Sequence, residues 1–232
     1  MDTSAVDTLN QALQAVSGNM PEATQSLSIL ELATKGGWIM IVLLVLSLIA
    51  VFVFVQKLIQ ILAAAREDKH FMARIRDYVQ DGKIDSAMKL CEDTDTPAAR
   101  MVHKGLTRMG RPMQDVLVII ENVGNIEIGK LEKGLPVLAT IAAGAPMIGF
   151  LGTVTGMVRA FFDMANAGSA GVDVALLSGG IYEALVTTVG GLVVGIFTLF
   201  AYNYLTSLLG KVQNIMETKT LEFMDLLNEE AH

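Results

Sequence analysis

Glu183 is the acidic residue that lies nearest to a predicted membrane core. It stands in the segment GGIYEALVTTVGGL, directly before the 27 uncharged residues Ala184–Gly210. A carboxylate at membrane depth costs about 3 kcal/mol or more, so it usually faces protein or water and has a functional role. The same position also suits a carboxylate at the membrane surface, solvated by lipid headgroups. On a helix, its side chain lies about one turn above Thr187 and Thr188.

Two strips of small residues and hydroxyls accompany this carboxylate. At 100° per residue, each strip falls on one face of its helix. Lipid provides no hydrophobic force between helices, so helices associate through close backbone contact and hydroxyl hydrogen bonds, which small residues permit. Tight helix packing is therefore the simplest explanation of both strips. The first consists of Ala142, Ala145, Gly149, Gly152, Thr153 and Gly156, and the second of Gly180, Ala184, Thr187, Thr188, Gly191, Gly195 and Thr198.

The threonine hydroxyls can orient a proton, but they do not titrate near neutral pH. A membrane threonine can also donate to its own backbone carbonyl one turn back, and we expect this structural role for Thr140, Thr155 and Thr198. The long uncharged stretches contain no Asp, His, Lys or Arg. If the protein conducts protons, the titrating group must therefore come from another chain.

No catalytic, metal or cofactor site is predicted, and we do not expect an enzyme. The segments GAPMIGF and GFLGTVTG lack the lysine of a phosphate-binding loop. The histidines at positions 70, 103 and 232 have no metal-ligand spacing. No Ser or Cys nucleophile has a plausible base nearby. The single cysteine, Cys91, is expected to be a buried, inert thiol.

The composition is typical of an integral membrane protein. Of the 232 residues, 52% are apolar and only 18% are charged, and the mean hydropathy is +0.50. Three uncharged stretches exceed the roughly 20 residues that a helix needs to cross the hydrocarbon core. They are Gly36–Gln56 with 21 residues, Gly134–Val158 with 25 and Ala184–Gly210 with 27.

The distribution of basic residues predicts the orientation in the membrane. Residues 63–133 hold twelve of the seventeen Lys and Arg, whereas Lys35 is the only one among the first 37 residues. We therefore expect the N-terminus outside and residues 63–133 in the cytoplasm. The same segment holds twelve acids, so it has no basic surplus for nucleic-acid binding. Residues 1–34 contain four acids and no Lys or Arg, which does not fit a secretory signal.

The helices outside the membrane are predicted from apolar periodicity and capping residues. Residues 3–33 predict an interrupted amphipathic helix on the outer membrane surface. The first span is expected to continue as one helix to about Val79, and the helix that begins near Gln114 to continue into the second span. Thr96 and Pro97 predict the N-cap and first residue of another helix.

The predicted fold is all-α, with three transmembrane helices that extend into a cytoplasmic helical bundle. The expected segments are a periplasmic N-terminal segment (1–35), a first span (36–62), a cytoplasmic helical region (63–133), a second span (134–160), a short periplasmic loop (161–177), a third span (178–210) and a cytoplasmic C-terminal helix (211–232).

Two segments resemble a known family. GAPMIGFLGTVTGMVRAF, followed about twenty residues later by GIYEALVTTVGGLVVGIFTLFAYNYL, resembles the MotA/TolQ/ExbB proton-channel family over about residues 115–210. Within that family the outward N-terminal extension is most similar to ExbB, with TolQ close behind. The family usually has proline where this chain has Gly179 or Gly180, and again at Phe197.

The resemblance implies a five-fold ring in the bacterial inner membrane. Its pore would hold single helices of an ExbD-like partner, whose aspartate titrates, and proton flow would energise a TonB-like protein that serves outer-membrane transporters. By the same resemblance, Thr153 and Thr188 are the pore-facing hydroxyls and Glu183 is the family's glutamate. Gly149, Gly152, Gly156, Gly180, Ala184, Gly191 and Gly195 are expected to pack helices.

Other interpretations remain open at the level of sequence. A TolQ-like subunit of the Tol-Pal envelope system fits almost as well as an ExbB-like subunit. A structural membrane scaffold, whose strips only pack helices, would need neither a conducting hydroxyl nor a partner. A solute transporter is disfavoured because the three spans show no internal repeat and no polar binding cluster.

Overall fold

The structure, a computed structural model, describes residues 37–66, 68, 70–166 and 174–230. The expected amphipathic helix at 3–33 lies outside these residues. Every regular element of the described part is a helix, which confirms the all-α expectation. The helices are α1 (Gly37–Ala64), α2 (Phe71–Gln80), α3 (Ile84–Thr94), α4 (Pro97–Leu106), α5 (Met113–Glu132), α6 (Leu135–Asn166) and α7 (Val174–Glu230).

Three helical tracts are long and apolar enough to cross a membrane. They are Gly37–Ala64, Met113–Asn166 and Leu177–Glu229. Helices α6 and α7 share the most extensive interface, and α1 packs against both. Most of the apolar surface of these tracts is exposed in the single chain, which suits contact with lipid or with other subunits.

The helix of the first span does not continue without interruption to Val79. Helix α1 ends at Ala64 and α2 begins only at Phe71, so the expectation of one helix to Val79 was wrong. Asp68 lies in the turn between the two helices, where its side chain accepts a hydrogen bond from the backbone N–H of His70 at 2.9 Å and its carbonyl accepts one from the N–H of Phe71 at 3.0 Å.

The helix that enters the second span is also interrupted, at Lys133 and Gly134. Gly134 has φ of +102°, a conformation that glycine adopts without strain and that commonly ends helices. The buried side chain of Lys57 of α1 lies at this interruption. Its Nζ donates to Gln60 Oε1 at 2.9 Å and to Lys130 O at 3.4 Å. That carbonyl lies in the last turn of α5, where no backbone partner is available.

The remaining helices form a bundle outside the three uncharged stretches, which we call the polar bundle: α2 to α5 together with residues 211–230 of α7. Its core contains the α7 residues that the sequence places on one apolar stripe, with Val212, Met216, Phe223 and Leu226 all less than 4% exposed. The predicted cap of α4 is confirmed, because Thr96 accepts a hydrogen bond from Ala99 N–H at 3.3 Å.

Candidate functional site between the second and third spans

The two predicted pore hydroxyls donate to consecutive carbonyls of α6. Thr153 Oγ1 donates to Phe150 O of its own helix at 2.6 Å, and Thr188 Oγ1 of α7 donates to Gly149 O at 3.2 Å. Both threonines are half-buried. The structure therefore brings side chains from two helices to one turn of α6. Each hydroxyl has used its only hydrogen, so its oxygen lone pairs are left to accept from a further donor.

Thr187, the neighbour of Thr188, is enclosed between the two helices. It is 1% exposed, and its Oγ1 donates to Ala184 O at 2.7 Å. A β carbon at Gly152 would overlap this hydroxyl, so the missing side chain of Gly152 makes its space. Thr187 is therefore placed to pack helices, whereas Thr188 lies at the edge of the same contact.

The small residues of both strips lie where α6 and α7 approach each other. A β carbon at Gly191 would lie 2.6 Å from Ala145 O and 2.8 Å from Gly149 Cα, distances that no real side chain tolerates. Backbone contact of this kind gives van der Waals attraction in a solvent that offers no hydrophobic force. The same crowding is found between Gly156 and Ala184, between Gly180 and Ala160, and between Gly195 and Pro146.

Glu183 lies apart from the threonines. Five residues separate it from Thr188, which corresponds to about 7.5 Å along a helix. Its half-buried side chain reaches the first residue of α1, where a β carbon at Gly37 would overlap Oε1 and lie 3.3 Å from Cδ. The structure thus separates the three residues predicted for the proton pathway into a pair of hydroxyls and a carboxylate at the end of α1.

The other membrane threonines bond within their own helices, as the sequence predicts. Thr140 donates to Pro136 O at 2.8 Å, Thr155 to Leu151 O at 2.9 Å, and Thr198 to Val194 O at 2.7 Å. Thr153 makes a similar local bond. Local bonding therefore does not distinguish Thr153 from the structural threonines. Thr188 instead bonds the other helix, and Thr187 also reaches the same carbonyl, Gly149 O, at 3.4 Å.

The environment of these hydroxyls is apolar. Thr153 borders an open groove of about 650 Å³ on α6, whose other lining residues are Val154, Met157, Val158, Phe161 and Phe162. Between positions 37 and 56, 134 and 158, and 184 and 210, the chain carries no Asp, Glu, His, Lys or Arg. A proton carrier that entered this region would find hydroxyl and carbonyl oxygens but no charged side chain of this chain.

Charge is concentrated instead in the polar bundle. Glu127 of α5 is 5% exposed and accepts from Arg100 Nη2 and from Lys130 Nζ, each at 2.7 Å. Burial alone raises the pKa of this carboxyl, but the hydrogen bonds from Lys130 and Arg100 outweigh it, so the pKa is lowered. Among the described residues, no group of three His, Cys, Asp or Glu side chains is placed to hold a metal ion.

Cys91 is buried, as expected from the sequence. Burial and, to a smaller extent, the charge of Glu92 raise the pKa of its thiol to about 12. A thiol with so high a pKa holds almost no thiolate at neutral pH, so it is a poor nucleophile.

Two residues near the site were not singled out from the sequence. Gly37 contacts the carboxylate of Glu183. Nothing in the sequence singles out Gly37 beyond its position at the start of an apolar stretch. Pro146 lies inside α6 against Gly195, whose β-carbon position is 2.5 Å from the proline Cγ. Since proline has no N–H, it leaves the Ala142 carbonyl without its helical donor. The sequence signal for this contact was a proline inside one predicted span and a strip of glycines in another.

These features define a class: a multi-pass, α-helical membrane protein whose second and third spans are joined by small residues and carry hydroxyls. Residues 93–218, just over half of the chain, match the MotA/TolQ/ExbB proton channel family. The chain belongs to that family.

Proteins similar to this chain come from several groups of organisms. An ExbB-like protein of Synechocystis sp. (ExbB-like 1) is 30% identical over 197 residues, which cover 80% of this chain and 73% of the relative. The biopolymer transport protein ExbB of Neisseria meningitidis is 26% identical over 72% of this chain and 80% of its own length. The Tol-Pal system protein TolQ of Haemophilus influenzae is 36% identical over 46% of each chain.

Proposed function

We propose that this chain is an ExbB-type proton-channel subunit of the bacterial inner membrane. It would work with an ExbD-like single-span partner and use the proton-motive force to energise a TonB-like protein that serves outer-membrane transport. The observation that carries the proposal is the pairing of Thr153 and Thr188 on consecutive carbonyls of α6, within apolar stretches that contain no Asp, Glu, His, Lys or Arg.

The chemistry follows from what each hydroxyl has left to offer. Both threonines donate to the α6 backbone, so their oxygens accept a hydrogen bond from a protonated group that passes them. In this proposal the passing group is the aspartic acid of the partner helix. Hydrogen bonds to the neutral acid lower the cost of moving it through an apolar bore. A smooth, uncharged lining also holds an inserted helix loosely enough to move.

The exposed faces of the spans support assembly into a ring. The groove beside Thr153 and the exposed Phe150 and Phe162 have no partner within the described chain. We propose a pentamer in which these faces meet neighbouring subunits, the partner helix or lipid. The N-terminus lies in the periplasm and the polar bundle in the cytoplasm, as the concentration of Lys and Arg in 63–133 relative to the first 37 residues favours.

The experiment that tests this function is proton uptake by liposomes that contain the chain and its co-purified single-span partner. Replacing Thr188 with valine keeps the shape and removes the acceptor oxygen. We expect assembly to survive and the partner-dependent flux to fall about tenfold, the equivalent of roughly 1.4 kcal/mol, close to the worth of one hydrogen bond. Thr153→Val should act in the same direction.

The matched control is Thr140→Val, because Thr140 bonds only its own helix and lies outside the α6–α7 contact. It should leave the flux unchanged. Unchanged flux in both Thr188→Val and Thr153→Val would contradict the lining role. Native flux from rings without any partner would contradict the need for a foreign titrating group.

A TolQ-type role is the second candidate, favoured by the 36% identity to the TolQ of Haemophilus influenzae. Both roles predict the same proton chemistry and differ in the periplasmic protein that receives the energy. Identification of the proteins that co-purify with the intact complex separates them. A non-conducting scaffold predicts that no single-span protein co-purifies and that the threonine variants alter stability alone.

A further inference from the structure

The carboxylate of Glu183 rests on the first residue of α1. Gly37 has no side chain, and a β carbon there would occupy the position of Glu183 Oε1. Gly37 also has φ of +62°, in the left-handed region that other residues adopt only with strain. Both properties make glycine the residue that lets the carboxylate reach the end of α1.

A second contact fixes the relative position of the two helices. Seven residues further along α7, Gly190 packs against two side chains of α1. A β carbon at Gly190 would lie 3.0 Å from Met40 Sδ and 3.6 Å from Leu43 Cδ1. Helices α1 and α7 therefore run in the same direction and are matched at two levels. The placement of Glu183 on Gly37 follows from that register rather than from a single flexible side chain.

We propose that Gly37 is a positioning residue for Glu183: the missing side chain of Gly37 lets the carboxyl group at the outer end of the third span lie against the first residue of α1. The proposal rests on the proton-channel function above and assigns a task to the first span, which carries neither pore hydroxyl. The contact keeps the carboxyl group at the edge of the apolar region and one to two turns from Thr188.

The decisive variant is Gly37→Ala, studied in proton-uptake liposomes with the co-purified single-span partner. The added methyl meets the end of the Glu183 side chain rather than backbone, so the carboxyl group must move, and the positive φ of Gly37 adds backbone strain. We expect the flux to fall several-fold because the carboxyl group loses its position at the end of α1. The control is Gly179→Ala, one turn before Glu183 on α7, where nothing lies within 4 Å; it should behave like the wild type.

A double-mutant cycle keeps the test decisive even if Gly37→Ala assembles poorly. Glu183→Asp shortens the acid by one methylene and makes room for the new methyl. The effect of Gly37→Ala on flux and on thermal stability of the detergent-solubilised complex should therefore be smaller in the Glu183→Asp background than in the wild type. Equal effects in both backgrounds would overturn the proposed contact.

The outcomes also separate this proposal from the function on which it rests. If Glu183→Gln leaves the flux unchanged, the assigned role of the carboxylate fails. If Glu183→Gln abolishes the flux but Gly37→Ala keeps the wild-type flux, only the proposed contact fails. A lower flux in Gly37→Ala that Glu183→Asp does not relieve would show a purely structural effect and would equally overturn the positioning role.

Discussion

Helix α7 passes through two regions that are held together in opposite ways. Against α6 it presents Ala184, Gly191 and Gly195, and the helix backbones come into direct contact. In the polar bundle the same helix presents Val212, Phe223 and Leu226, which are almost completely buried among large side chains. One continuous helix therefore changes its packing chemistry along its length.

The difference follows from the solvent around each region. In water, burying a large apolar side chain is favourable by roughly 1.5–3 kcal/mol, so the polar bundle gains most from residues such as Phe223. In lipid that gain is absent, and attraction depends on how closely the backbones approach. Glycine is therefore a strong packing residue in the spans, whereas in the bundle it chiefly provides space, as Gly105 does for the ring of Phe223.

The largest effect is expected from Phe223→Ala in the polar bundle. The side chain is 0% exposed, and its removal leaves a cavity between α7 and α4. We expect a loss of about 3–5 kcal/mol in stability, measured by thermal unfolding of the purified chain in detergent. Leu221→Ala is the control, because Leu221 is 67% exposed and should cost little in the isolated chain. Equal losses in both variants would contradict a core position for Phe223.

A somewhat smaller loss is expected from Gly191→Ala in the spans. Here the added methyl meets backbone atoms at 2.6 and 2.8 Å, so the helices must separate, at a cost of about 1–3 kcal/mol. Gly144→Ala is the matched control, since nothing lies within 4 Å of its β-carbon position. Thermal unfolding in detergent should rank Gly191→Ala well below Gly144→Ala. A stabilising effect of Gly191→Ala, as expected from helix propensity alone, would contradict the close contact.

The smallest of the three effects concerns charge in the polar bundle. Because the folded pKa of Glu127 is lowered, its stabilisation is present above the unfolded value of about 4.3 and is lost as pH falls through the folded value. We expect Glu127→Gln to cost about 1–2 kcal/mol at pH 7, reduced by the partial exposure of both partners, and to flatten the loss of stability in acid. Melting temperatures between pH 3 and pH 7 check this, and parallel profiles for variant and wild type would refute it.

Much of the fold was predictable because the decisive signals are local. Length of the uncharged stretches identified the three spans, and Thr96 with Pro97 identified the start of α4. The interruptions of the two predicted continuous helices were missed. Asp68 lies at the first interruption, and Gly134, with a positive φ and with Lys57 beside it, lies at the second.

The candidate site, like the fold, was predicted from the sequence only in part. The residue types of the two strips identified Thr153, Thr188 and Glu183 as candidates, but not which of them share a location. The hydrogen bonds place both hydroxyls on one turn of α6, whereas Glu183 rests on Gly37, a residue 146 positions earlier in the chain. No periodicity in either segment carries that information.

The amino-acid sequence by itself determined that this protein is all-α, that it has three uncharged stretches long enough to span a membrane and that those stretches contain no Asp, Glu, His, Lys or Arg. These are properties of composition and spacing, which act through contacts a few residues apart. Only the tertiary structure decided which small residues meet, where the helices break and which helix end receives the carboxylate. Those outcomes depend on the register between helices distant in sequence, and register is set by the packing of all their contacts at once.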